Sequence, residues 1–284
     1  MKNHTQGLDY SAFDRAPEYS LFTQISQLDR GERLLIFSVF AVVGLSIVFI
    51  DTFGFVFSYL VLIGIAFFII PKFIGAGSRN TPKWLEVFAT KNGFKVANVE
   101  HHNSEASIYS VGNDDHQSFR GVKGRFCGYS FTLYLHSFSW GINEPKDCMY
   151  AVIELDLPKN LPHIFIDNKK GNSWLNREIL TAFNDSQLVQ LEGNFSRYFN
   201  VYSVPGYHIP LLTLLNPGFM GKLMDYRDHF ELEFLDNKAY MYFANEYIDT
   251  KESMSRVFSG IEFIITELQK QLDTFEFDPD DRSV

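Results

Sequence analysis

Cysteine is scarce: Cys127 and Cys148 are the only two in 284 residues. No disulfide framework is available, and a chain of this length with 46% hydrophobic content can build its core without one. Both are read as reduced, small buried hydrophobes. Cations are also short. The net charge is -9, and residues 75–284 carry 20 Lys and Arg against 28 Asp and Glu. That balance repels polyphosphate backbones and anionic headgroups, so it argues against nucleic-acid binding and against flat docking on a bilayer. No glycine-rich loop follows a strand in P-loop or dinucleotide form, and Ser130 lacks the second glycine of a nucleophile elbow. No cofactor is called for. There is neither a short-period repeat nor a low-complexity tract.

The largest absence is of charge between Leu34 and Ile70, where Asp51 stands alone. Residues 34–50 (LLIFSVFAVVGLSIVFI) and 53–70 (FGFVFSYLVLIGIAFFII) are two uncharged runs, each about 25 Å long as a helix, enough to cross a bilayer. Asp51-Thr52 and Gly54 leave room only for an immediate turn, and Pro71 ends the second run. The pattern predicts a transmembrane helical hairpin. Core helices of soluble proteins are rarely apolar on every face for this long, and a cleaved signal peptide would not follow so many polar residues or precede a second span. Arg30 and Arg33 before the first span, with Lys72, Arg79 and Lys83 after the second, place both termini on the cytoplasmic side of the cell membrane. Neither span has an ionisable residue in its interior, which argues against a transporter or channel working alone.

Around the spans, residues 1–33 read as a cytosolic N-terminal segment. Leu21, Ile25 and Leu28 give it a short amphipathic helix, suited to the headgroup layer or to the domain. Residues 71–80 form a linker, 81–275 a cytosolic domain and 276–284 an acidic tail. Thr81-Pro82 begins a helix that Asn92-Gly93 ends, with Trp84, Phe88 and Ala89 inward. Alternation predicts a strand over Gly124 to Ser139, with Cys127, Tyr129, Phe131, Leu133 and Leu135 on one face and Ser130, Thr132 and His136 on the other. A second strand holds Met149, Ala151, Ile153 and Leu155, with Glu154 and Asp156 outward. His163 to Ile166 is a further short apolar run, and Phe230 to Ala244 reads as a hairpin turning at Asp236-Asn237. Helices are expected over Trp174 to Phe183, from Asn216-Pro217 to about Asp228, and over Lys251 to Leu272, the last opened by a capping box of Asp249 and Glu252. Clustered antiparallel strands with a few helices define an α+β fold.

Leu191-Glu192-Gly193-Asn194-Phe195, then Tyr198-Phe199, Val201-Tyr202-Ser203 and Leu215-Asn216-Pro217-Gly218-Phe219-Met220, resemble a pattern in a group of uncharacterised prokaryotic membrane proteins. Those proteins have paired N-terminal spans and a cytosolic domain of unknown function. The resemblance covers roughly residues 150–270 and the layout. It implies the architecture and carries no activity and no functional residues.

Three constellations bear on chemistry. His101-His102 and Asp114-Asp115-His116 are the clusters of metal-type ligands, both in polar loop-like sequence without zinc spacing. Glu154, Asp156, Asp167 and Lys169 are the residue types a metal-dependent hydrolase or nuclease uses to hold a divalent ion and polarise a phosphate. That role requires them to converge in a cleft. Tyr129, Phe131 and Tyr134 are the aromatic candidates for the lining of a small-ligand sensing pocket. Against these stands a membrane-anchored interaction or scaffold module whose partners are the bilayer and a protein partner or a second copy of the chain.

Overall fold

The computed structural model describes residues 7–14, 83–99, 106–112, 116–119, 121–141, 146–169, 183, 187–191, 193–227, 229–244, 248–272 and 275. The chain divides into two compact units, Met1–Asp14 with Trp84–Val284, and Arg15–Lys83. All described residues except Lys83 belong to the first. Both runs expected to span the membrane, the amphipathic segment, the linker, the Trp174 helix up to residue 182 and the acidic tail lie outside the described residues. Among the described residues no helix is long and apolar enough to cross a membrane.

The domain is α+β. Eight antiparallel strands form one sheet: β1 (Lys95–Ala97), β2 (Gln117–Ser118), β3 (Gly121–Phe126), β4 (Tyr129–Trp140), β5 (Lys146–Asn168), β6 (Leu188–Val189), β7 (Phe199–Ser203) and β8 (Glu231–Ala244). The order is β1-β3-β4-β5-β7-β6, with β2 also on β4 and β8 on β5. Four α-helices accompany it among the described residues: α1 (Lys83–Lys91), α2 (His208–Leu214), α3 (Pro217–Leu223) and α4 (Lys251–Leu272).

Local chemistry explains most boundaries. Gly93, at φ 70°, ends α1, and the Asn216 side chain accepts the Phe219 amide at 3.0 Å to start α3 behind Pro217. The N-cap of α4 is Thr250, one residue later than the expected box. Its hydroxyl accepts the Ser253 amide at 3.1 Å, while the Ser253 hydroxyl accepts the Thr250 amide at 3.3 Å. Serine does here what Glu252 was expected to do.

Two strands depart from the alternation. The run from Gly124 to Ser139 is a hairpin: Cys127 and Gly128 take φ 52° and 89° between the paired residues Phe126 and Tyr129, a two-residue turn twisted to suit the strands. Phe126 and Tyr129 share a face across that turn, so the apolar alternation shifts by one residue there, from the even positions of β3 to the odd positions of β4. Conversely, Phe230 to Ala244 is no hairpin. β8 runs along β5 from the Tyr150–Ala244 pair to the Ile166–Leu232 pair, and the irregularity at Asp236, φ 51°, faces the β5 stretch between Asp156 and Ile164 that holds Pro158 and Pro162. Proline cannot donate to a ladder, so pairing breaks there.

At that break both strands bend together. In a straight strand positions 233 and 242 would stand about 30 Å apart, yet the Tyr242 hydroxyl donates to Glu233 and the Phe165 and Tyr242 rings lie 6.4 Å apart. The sheet therefore folds over on itself. The bend also switches the facing parity of each strand: Met241 and Phe243 share a core with Leu232 and Phe234.

Two cores result. α4 fills the larger one with Val257, Phe258, Ile261, Ile264, Ile265 and Leu268, all at most 1% exposed. Phe258 sits at its centre, stacked on Phe94 at 5.7 Å and meeting Phe88, Phe126 and Phe131 within 5.8 Å. Phe94 in turn fills the space over Gly124, where a Cβ would meet its ring at 2.6 Å. The smaller core lies inside the fold of the sheet and is rich in tyrosine: Tyr134, Tyr150, Tyr202, Tyr240 and Tyr242.

Candidate functional site

The smaller core is where buried polar groups collect. β5, β8 and β7 turn His163, Phe165, Asp167, Glu231, Glu233 and Tyr202 toward it, and the turn Ser107–Tyr109 lies against it. Glu233, 0% exposed, is the hub. Its carboxylate accepts from the Ser107 amide at 3.1 and 3.2 Å, from the Ser107 hydroxyl at 2.7 Å, from His163 Nε2 at 2.7 Å and from the Tyr242 hydroxyl. A fully satisfied buried carboxylate of this kind fastens elements together. Ser107 bonds to the acid and not to the imidazole, so the three do not form the Ser-His-Asp relay of a hydrolase.

Along β4 a second polar chain runs on the same face. Ser118 Oγ and His136 Nδ1 are 2.7 Å apart, His136 Nε2 and His116 Nδ1 3.0 Å apart, and the Tyr109 and Tyr134 hydroxyls are paired. Burial pushes the Tyr109 hydroxyl above its usual range, against the opposing pull of its bond with the Tyr134 hydroxyl. His136 is fully buried, a correction to the expected solvent-facing position: the second face of this strand turns into a core from Tyr134 onward, while Ser130 stays exposed.

At the far end of β5 the chemistry is different. Asp167, 2% exposed, accepts from Asn200 Nδ2 of β7 at 2.9 Å on Oδ2, while its Oδ1 has no partner. Continuing the β5–β8 register past Ile166–Leu232 sets Asp167 opposite Glu231, also 2% exposed, neither of whose oxygens has a partner. Burial lifts the Asp167 carboxyl to about 6, against the opposing pull of Asn200 and Lys169. Burial, and then the neighbouring Asp167, lifts Glu231 well above the carboxylate range. The Tyr150 hydroxyl is likewise raised, first by its own burial and then by the charge of Glu231.

The four residues expected to hold a divalent ion do not form one group. Glu154 and Asp156 both pair with Lys238 of β8, the latter at 3.3 Å. Asp167 belongs to the Asn200 and Glu231 neighbourhood, and Lys169 Nζ donates to the Ser196 carbonyl at 2.5 Å. The aromatic pocket is likewise not assembled, because Tyr129 and Phe131 face the α4 core and Tyr134 the other. His101, His102, Asp114 and Asp115 lie outside the described residues; His116 stacks on Phe138 at 5.2 Å. Among the described residues no set of three or more His, Cys, Asp and Glu side chains is arranged to hold a metal ion.

Sequence reasoning missed Glu231 and Glu233. Phe230-Glu-Leu-Glu-Phe234 has the alternation of a strand with one wet face. Only the bend that closes the sheet over that face buries the two acids, and no local signal reports it. The fold and its polar interior define an α+β antiparallel-sheet domain. No family model, curated protein or solved structure matches the chain.

Proposed function

We propose that the protein is a membrane-anchored interaction module: runs 34–50 and 53–70 form a transmembrane hairpin, both termini face the cytoplasm, and the α+β domain engages a protein partner or a second copy of the chain. The resemblance to uncharacterised prokaryotic membrane proteins with paired spans supports this layout. The observation that carries the reading against a hydrolase is the division of Glu154, Asp156, Asp167 and Lys169 between two places, each with internal partners. Carboxylates neutralised by Lys238 on their own sheet are poor electrophile-holding ligands, whereas such pairs suit a rigid scaffold.

The test is purification of the full chain from detergent-solubilised membranes, followed by crosslinking in intact membranes. A stoichiometric partner or a defined homo-oligomer is expected. A monodisperse monomer that hydrolyses a phosphodiester with Mg2+, and loses that activity in E154Q, overturns the proposal in favour of a tethered hydrolase.

A further inference from the structure

We propose that Asp167 of β5 and Glu231 of β8 form a closed site for a hard divalent cation of the Ca2+ type. This goes beyond the interaction module and does not depend on it. The geometry presents two carboxyl groups side by side across the β5–β8 ladder, each 2% exposed, with three oxygens lacking any hydrogen-bond partner: Asp167 Oδ1 and both oxygens of Glu231. At the same end of the sheet Asn200 donates to Asp167 and Asn168 to the Arg227 carbonyl. Like charges opposite each other on adjacent strands are unfavourable, and unpaired ones in a dry interior far more so.

Counting oxygens selects the occupant. One shared proton joins two oxygens and leaves the third orphaned. Two protons neutralise both acids but add a second hydroxyl that also needs an acceptor. A divalent cation engages all three at once, bidentate on Glu231 and monodentate on Asp167, and balances the two negative charges. The donors are oxygen only, which selects hard ions over Zn2+ or Cu2+, and bidentate carboxylate binding is a habit of Ca2+ more than of Mg2+. With only two acidic side chains, the remaining ligands are backbone carbonyls or water. At 2% exposure there is no open face for a substrate, so the ion is structural or sensed, not catalytic.

The full chain in detergent, stripped with EDTA and held at pH 7.5, is titrated with Tb3+. Tyr150 and Tyr202 lie in the core that Asp167 and Glu231 face, so tyrosine-sensitised Tb3+ emission reports binding there. Saturable emission displaced by Ca2+ is expected. A rise in melting temperature of about 5 °C or more is expected at a hundredfold excess of Ca2+ over its dissociation constant. E231Q and D167N, which preserve side-chain volume, each weaken Ca2+ binding by at least about tenfold. No Tyr-sensitised emission, or a Ca2+-induced shift of undiminished size in the E231Q/D167N double variant, overturns the assignment. A melting temperature indifferent to Ca2+, Mg2+ and Mn2+ also overturns it, and greater stability of E231Q than wild type at pH 8 would then identify protons as the only occupants. The wild-type Tb3+ and Ca2+ titrations decide the matter even if a variant fails to fold.

Discussion

Glu233 and Glu231 sit two positions apart on one strand and meet opposite fates. The carboxylate of Glu233 takes up donors from the Ser107 turn, from β5 through His163 and from the far half of β8 through Tyr242. In E233Q an amide nitrogen replaces one acceptor and is forced against those donors. A loss of about 2–4 kcal/mol is expected, read as a lower melting temperature of the full chain by near-ultraviolet circular dichroism. Asp167 behaves in the opposite sense. Its carboxyl is lifted from 3.8 to about 6, so the folded state holds a proton that the unfolded chain releases. That contribution is fully present below pH 3.8 and is lost as pH rises through 6. At about 1.4 kcal/mol per pH unit the difference is about 3 kcal/mol. Melting curves of wild type and D167N between pH 4 and 8, without divalent ions, should converge on wild-type advantage at the acid end and reverse toward the alkaline end. Parallel curves would show that Asp167 is not titrating in a buried setting.

At the scale of elements, α4 shows how a helix becomes legible. Its 22 residues carry an apolar stripe of period 3.6, and the observed ends coincide with those read from that stripe. The cap was misplaced by one residue because Asp249-Thr250 offers two competent side chains in a row, and only backbone geometry chooses. T250A should cost about 1 kcal/mol, and D249A much less; thermal denaturation of the two variants separates them. The strands were harder. Cys127-Gly128 turns a hairpin without an asparagine or aspartate, and Asp236-Asn237, a strong turn signal, marks a bulge instead. Gly128 and Asp236 are residue types that take the left-handed backbone readily, whereas Cys127 is not, although it takes it too. What sequence cannot announce is whether the chain reverses or merely bends there, since that depends on β5 being long enough to pair with both halves of β8. α2 escaped notice because Ile209 and Leu212, 77% and 52% exposed, place apolar side chains on its outer face and blur its periodicity.

At the scale of the whole molecule, the charge outside the two uncharged runs predicts topology. Under the proposed topology Thr52→Cys, between the two runs, should react with a membrane-impermeant maleimide added to intact cells, whereas labelling of the native cysteines should require permeabilisation. Cys127 should react slowly even then, because burial, reinforced by Glu262, pushes its thiol up to about 11. Labelling of Cys127 in intact cells with Thr52→Cys silent would invert the orientation.

The pairing of Tyr150 with Ala244 has a consequence for how the chain is born. The central strand emerges from the ribosome with one flank bare, and the segment that will lie along it is synthesised more than sixty residues later, just ahead of the helix that seals the core. Runs 34–50 and 53–70 by then have long since left the exit tunnel. Closure of the domain thus comes well after these two runs have been made. Contacts this distant in sequence form slowly, so the domain cannot close until β8 and α4, residues 231–272, have been made.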